Sequence, residues 1–241
     1  MNKNKELGNV PLSIFSGIFR TNAWGDAESK SGTGSNLIQT ATTRQEIPKL
    51  LKEYGIKTML DIPCGDFYWM KEIKADLNDL LNTYTGGDIV PELIHRNQAE
   101  YGEAKINFCV LDITSSPLPK VDLIFVRDCL VHLSYRDVAE ALRNIKLSGS
   151  KYLLTTHFTN NRQNKDIQTG DWRPLNLLHK PLYFPSPLII INENCTESNG
   201  EFNDKSLALW KLSSISVFKI RLCLWIRYKL PIVSKTMFSI C

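Results

Sequence analysis

Three aspartates each close an apolar stretch of this chain, and their spacing is where chemistry first shows. Residues 58–67, Thr-Met-Leu-Asp61-Ile-Pro63-Cys64-Gly65-Asp66-Phe67, run from an apolar strand through an acid into a tight turn. Twenty-seven residues after Asp61, Thr83-Tyr-Thr-Gly-Gly-Asp88-Ile89 presents a second acid, and Ile106-Asn-Phe-Cys-Val-Leu-Asp112-Ile113 a third after a further twenty-four. In a doubly wound parallel sheet the ligand binds beyond the carboxyl ends of the strands, where strand order reverses, so acids at βα spacing converge on one ligand. A turn with little side-chain bulk around Gly65 lets backbone N–H groups approach that ligand, and an acid about 20 residues on accepts hydrogen bonds from ribose hydroxyls. Asp88 fits the ribose role. Asp61 and Asp88 taken singly would also serve as helix caps; their joint spacing favours contact with a cofactor.

The dinucleotide fingerprint Gly-x-Gly-x-x-Gly is absent, because Pro63 and Phe67 or their neighbours stand where glycines are needed. A cofactor with ribose and adenine but no phosphates needs fewer glycines and more acids. S-adenosylmethionine, with its cationic sulfonium and amino group, meets that description. Leu60 to Phe67 resembles the first motif of class I S-adenosylmethionine-dependent methyltransferases, usually Leu-Asp-x-Gly-Cys-Gly-x-Gly, with Pro63 and Phe67 departing from it at two glycine positions. The run from Trp24 through Ser31-Gly-Thr-Gly-Ser35 to Trp210 resembles a subgroup of such domains, some joined to glycosyltransferases and implicated in methylating sugar hydroxyls. This resemblance covers roughly residues 20–212.

The resemblance implies a Rossmann-like α/β fold: a seven-stranded, mostly parallel sheet with helices on both faces and an antiparallel C-terminal strand pair. It implies S-adenosylmethionine as cofactor, contacted by Asp61, Pro63, Cys64, Gly65, Asp88, Ile89, Asp112, Ile113 and Arg127, with Asp112 and Ile113 where this fold recognises adenine. Cys64 reads as a small turn residue whose backbone matters, not as a nucleophile.

The elements that must position these residues follow from periodicity. Short apolar runs predict strands near 58–62, 106–111, 121–126 and 151–156, and 83–88 joins them; helical patterns near 66–80, 91–101 and 135–147 alternate with them. That alternation predicts a parallel sheet. An earlier helix is expected with Pro48 in its first turn, Leu50, Leu51 and Tyr54 on its apolar face, and Gly55 as its stop. Residues 188–192 and 206–212 read as two further strands with no helix between them.

Reaction chemistry is expected after the fourth strand, in Val121-Asp-Leu-Ile-Phe-Val-Arg127-Asp128-Cys-Leu-Val-His132. Histidine titrates near neutrality, so His132 could take a proton from a substrate hydroxyl during methyl transfer, with Asp128 orienting it or the substrate. The alternative is a packing or capping histidine. A second region, residues 164–176, is too polar to be core throughout; Asp171, Trp172, Arg173 and Asn176 offer a stacking face and hydrogen-bonding groups suited to a polyhydroxylated acceptor, or else an ordered loop with Trp172 packed on the sheet edge. Trp24 and residues 31–35 pose a similar choice between a cofactor lid and a plain linker.

Neither the Pro-Cys of cytosine C5-methylating enzymes nor the Asn/Asp-Pro-Pro-aromatic signature of amino-methylating nucleic-acid enzymes follows the fourth strand, which favours an oxygen acceptor. The expected acceptor is a hydroxyl of a sugar or glycan; the alternatives are another small metabolite, or a non-catalytic S-adenosylmethionine-binding module that serves a glycosyltransferase or scaffold. The four histidines show no zinc spacing. Some sugar O-methyltransferases hold magnesium with carboxylates, a role open to Asp128 with a later acid that the sequence does not identify.

With 241 residues and 43% apolar content the chain can bury a full core in one domain, here expected over residues 36–212 after an N-terminal segment, 1–35, that forms the candidate lid. Six cysteines without a Cys-x-x-Cys pair read as buried thiols in a reducing, cytoplasmic compartment, and the N-terminus lacks the apolar core of a signal peptide. The net charge of +4 is uneven: residues 213–241 carry five bases and no acid, leaving 24 bases and 25 acids, a net −1, elsewhere. A near-neutral body argues against a nucleic-acid groove. The basic, amphipathic tail is expected either to pack on the body as an added element, or to lie on an anionic membrane or a partner such as a glycosyltransferase.

Overall fold

The computed structural model describes residues 10–229, with side chains from 11 to 224; the first nine residues and the tail beyond 229, with Lys235 and Cys241, lie outside the described residues. Seven strands form one sheet in the order β3-β2-β1-β4-β5-β7-β6. They are β1 (Thr58–Asp61), β2 (Thr83–Asp88), β3 (Ile106–Val110), β4 (Leu123–Val126), β5 (Tyr152–Phe158), β6 (Ile189–Asn192) and β7 (Lys205–Lys211). The first five are parallel, and β7 runs antiparallel between β5 and β6. Strand order reverses between β1 and β4, which places the switch-point cleft at the ends of the strands closed by Asp61 and followed by Arg127. β4 and β5 are buried along their whole length, the pattern of strands covered on both faces.

Helices α1 (Val10–Thr21), α2 (Ala41–Glu53), α3 (Lys74–Leu80), α4 (Pro91–Tyr101), α5 (Tyr135–Leu147) and α7 (Val217–Lys229), with the single turn α6 (Glu197–Gly200), complete the fold. One face of the sheet is sealed by Ile47, Leu50 and Leu51 of α2, Leu77 of α3, and Leu93 and Ile94 of α4. The other is sealed by Val138, Leu142 and Ile145 of α5 and Ile220 and Leu224 of α7. Ser134 caps α5 by accepting the Asp137 N–H, and Asp137 sits in the first turn where the helix dipole favours an acid.

The structure corrects two local expectations. Pro48 lies inside α2, not in its first turn, because the helix reaches back to Ala41 to bury Thr43 and Ile47 along with Leu50 and Leu51. The helix expected over 66–80 is a 3₁₀ turn at Met70–Ile73 followed by α3. Within the basic segment after 212, Val217–Lys229 forms α7, which packs on α5.

Phe67, at a family glycine position, keeps the backbone geometry that glycine would supply. Its φ is +57°, and its ring is buried edge-on to Tyr84 and Phe108. Left-handed backbone costs a non-glycine residue about 1–2 kcal/mol, whereas deleting a buried phenylalanine ring costs about 3–5 kcal/mol. Phe67→Gly should therefore destabilise by about 2–3 kcal/mol in urea unfolding despite relieving the backbone. A neutral or stabilised variant would show that the ring contributes little.

Candidate functional site

The strand ends open into one cavity. Its walls include Asp61, Ile62, Pro63, Cys64, Gly65, Asp66, Asp88, Ile89, Asp112, Ile113, Arg127, Asp128 and His132, so every expected cofactor contact and both expected reaction residues reach one space. Asp171, Trp172, Arg173 and Asn176 are not among its walls.

Each acid is held by its surroundings. Asp61 is buried and accepts the Tyr84 hydroxyl at 2.6 Å. Burial pushes its pKa up to about 7, against that hydrogen bond. Asp88 accepts N–H groups from Val90 at 3.0 Å on Oδ1 and Gly65 at 3.2 Å on Oδ2, while burial raises it to about 6. One bond to each oxygen leaves lone pairs on both for a ribose diol. Asp112 is turned partly to its own loop, accepting from the Thr114 N–H and hydroxyl and from the Ser115 hydroxyl. Gly65 has a φ of +55°, and a Cβ there would lie 2.3 Å from the Ser31 hydroxyl, so the turn needs glycine both for conformation and for closeness to residue 31.

These walls fit the expected cofactor. A molecule carrying sulfonium and ammonium charges favours carboxyl groups around it, and the walls carry Asp61, Asp66, Asp88 and Asp112 besides Asp128, which Lys205 and Arg127 already pair. Asp88→Ala should weaken S-adenosylmethionine binding by about 100-fold, the loss of two hydrogen bonds to a charged group. Calorimetric titration measures it, and unchanged affinity would remove Asp88 from the site.

The described part of the N-terminal segment forms one wall of the cavity. Phe15, Ile18 and Phe19 of α1 and Trp24 line it. Asp66 is the clamp: it accepts the Ser29 hydroxyl at 3.0 Å and the Lys30 N–H at 2.8 Å, while its own N–H donates to the Ser31 hydroxyl at 2.9 Å. Arg20 reaches Glu92 on α4, and the Gly34 carbonyl accepts from Arg127 at 2.8 Å.

His132 is stacked on Trp24, with ring centroids 4.8 Å apart. Its Nδ1 lies 2.9 Å from the Asp171 carbonyl oxygen. A carbonyl only accepts, so Nδ1 carries the proton and Nε2 the free lone pair. Burial lowers the imidazole's pKa, with the Asp171 carbonyl acting the other way. That lowering favours the neutral imidazole.

Asp128 follows β4 with a φ of +48° and belongs to a buried charge cluster. Its Oδ2 accepts from Lys205 Nζ at 2.6 Å and lies 3.4 Å from Arg127. Burial works upward on this carboxyl, but Lys205 and Arg127 outweigh it and hold the pKa at about 2. Arg127 donates through Nε to buried Glu193 at 2.6 Å and through Nη2 to the Gly34 carbonyl, so it is anchored from both sides by protein.

The 164–176 loop acts from behind the site. Arg173, 5% exposed, donates to the carbonyls of Leu130, Val131 and Leu133, and Asn176, 2% exposed, donates to the Asn160 carbonyl. Asp166 and Thr169 accept the N–H groups of Tyr135 and Ser134 at the start of α5. Trp172 packs edge-on against Phe158 and Phe202. Arg173 thus supports the segment bearing His132, whose backbone carbonyls require donors. Glu193, Lys205, Tyr84 and the Asp66 clamp escaped sequence reasoning; Asp66, beside Gly65 in the first motif, was the one with a local signal. Among the described residues no group of three or more His, Cys, Asp or Glu side chains is arranged to hold a metal ion.

Comparison with known proteins agrees with this geometry. Residues 59–147 match the family model described as a methyltransferase domain. No curated protein matches the chain. Among solved structures, a Leishmania major S-adenosylmethionine-dependent methyltransferase is similar with a TM-score of 0.64 at 14% identity, covering 83% of this chain and 82% of that one. The N-methyltransferase NodS from Bradyrhizobium japonicum WM9, in complex with S-adenosylhomocysteine, aligns with a TM-score of 0.56 at 15% identity over 80% and 97%. Human N-acetylserotonin methyltransferase, in complex with S-adenosylmethionine, aligns with a TM-score of 0.58 at 14% identity over 82% of this chain, which spans 58% of that enzyme's length.

Proposed function

We propose that the chain, whose residues 59–147 match a methyltransferase domain and whose fold is that of S-adenosylmethionine-dependent methyltransferases, methylates a hydroxyl oxygen of a small acceptor, with His132 as general base. The observation that carries this reading is the 2.9 Å contact between His132 Nδ1 and the Asp171 carbonyl oxygen: with Nδ1 as the donor, Nε2 of a residue lining the cavity keeps its lone pair. A hydroxyl must lose its proton as oxygen takes the methyl group, and a neutral imidazole can receive it. S-adenosylmethionine supplies the electrophilic methyl. Asp128, held ionised, stabilises the imidazolium that forms.

A sugar or glycan acceptor is supported by the resemblance of residues 20–212 and by Trp24, an aromatic face on which a sugar ring can stack. A second reading, another small metabolite, is favoured by the walls: Phe15, Ile18, Phe19, Trp24 and Leu133 line the cavity, while Arg173 and Asn176 are committed elsewhere. The five described cysteines are free thiols, which suits a cytoplasmic setting. No described helix is long and apolar enough to cross a membrane.

The pH profile tests the base. His132 must enter the reaction neutral, and burial sets its pKa below the ordinary 6.5. With S-adenosylmethionine saturating, so that its binding at Asp61 and Asp88 no longer sets the profile, kcat/KM for a hydroxyl acceptor should rise along a limb with its midpoint below 6.5. A limb well above neutrality, following the pKa of an amine acceptor, would point to nitrogen methylation without this base.

A further inference from the structure

We propose that the outward strip of α7 is a docking surface for anionic lipid headgroups, which seats the enzyme peripherally on a membrane. A helix packed on a body needs one apolar face, and α7 has two. Val217, Ile220, Cys223 and Leu224 are buried. At about 100° of rotation per residue, Phe218 and Leu222 point to the opposite side. They are 80% and 43% exposed.

The flanks of that strip decide its occupant. On the same helical projection Arg221 borders one side and Lys219 the other, both exposed. Arg221 reaches Glu140 at 3.1 Å, and Lys219 lies over the Tyr183 ring at 5.0 Å, solvent-exposed contacts that hold a cation weakly. From residue 213 to 241 there are five bases and no acid, whereas the remainder carries a net −1. An apolar strip between cations whose stems can lie along it while their charges stay at headgroup level matches an interfacial helix on an anionic bilayer. The helix has 13 residues and lies along the surface of the body, so it would rest on the membrane rather than enter it.

The test uses the full chain and vesicles of phosphatidylcholine with or without phosphatidylserine. Wild type should sediment with the anionic vesicles, and rising salt should weaken that binding. Phe218→Ser with Leu222→Ser should lower the partition constant by about tenfold or more, and Lys219→Ser with Arg221→Ser should remove the preference for phosphatidylserine. All four positions are exposed, and unchanged S-adenosylmethionine binding would verify that the variants remain folded and would report on the methyltransferase site separately. Equal binding to neutral vesicles, no vesicle binding, or no effect of the Phe218 and Leu222 changes would overturn the proposal. So would a wild-type dimer in sedimentation velocity that the Phe218 and Leu222 changes convert to monomer without any lipid effect, since the strip would then join two copies.

Discussion

His132→Gln should lower turnover by about 10²- to 10⁴-fold, the usual contribution of a general base, equivalent to about 3–5 kcal/mol. The enzyme should not fall silent. Alignment of an acceptor oxygen with the methyl carbon supplies about 7–11 kcal/mol of the barrier reduction, and that part belongs to the cavity rather than to His132. Glutamine keeps a polar group against the Asp171 carbonyl and fills part of the space beside Trp24, so thermal stability and S-adenosylmethionine affinity should change little. Single-turnover rates at saturating cofactor measure the effect. A rate within about threefold of wild type, below what a base contributes, would make His132 a packing partner of Trp24.

Arg127→Ala should cost about 3–5 kcal/mol of stability, the range for removing one partner of a buried ion pair. Glu193 is 2% exposed, and its Oε1 accepts from Arg127 and from the Thr43 hydroxyl. Its Oε2 has no hydrogen-bond partner and lies 3.6 Å from Lys205. Without the guanidinium that buried carboxylate keeps only the Thr43 hydroxyl and a Lys205 ammonium it shares with Asp128. The Gly34 carbonyl also loses its donor, so the lid should loosen and cofactor affinity should fall with stability. Replacing both partners, Arg127→Met with Glu193→Met, should recover most of the lost stability because no unpaired charge remains. Urea unfolding reads both. A loss under about 1 kcal/mol for Arg127→Ala, typical of an exposed pair, would contradict the buried-cluster account.

The strands were legible because apolar runs ending in acids at βα spacing have few other solutions, and β1, β2 and β3 appear where those runs stand. Parallel pairing then brings Asp61, Asp88 and Asp112 to one edge without further information. What was not legible depends on partners far apart in the chain or on the backbone. The Asp66 clamp joins residues 29–31 to the first motif, and Glu193 and Lys205 meet Arg127 and Asp128 only after β6 and β7 fold back. Reasoning from side-chain type gave Asp171 a substrate role, while the structure gives its carbonyl to His132. Arg173 looked like a ligand for an acceptor because nothing local shows that three backbone carbonyls need it. α1 has no acid in its first turn to mark its start.

The most direct test of oxygen methylation is transfer of labelled methyl from S-adenosylmethionine to paired acceptors that differ only in bearing a hydroxyl or an amine, with sugars and apolar ring compounds in both sets. The account predicts a labelled methyl ether and matching S-adenosylhomocysteine from a hydroxyl member, with its amine counterpart inert or slow. Label found only on amines would contradict it, as would a protein that binds the cofactor yet releases no S-adenosylhomocysteine with any acceptor.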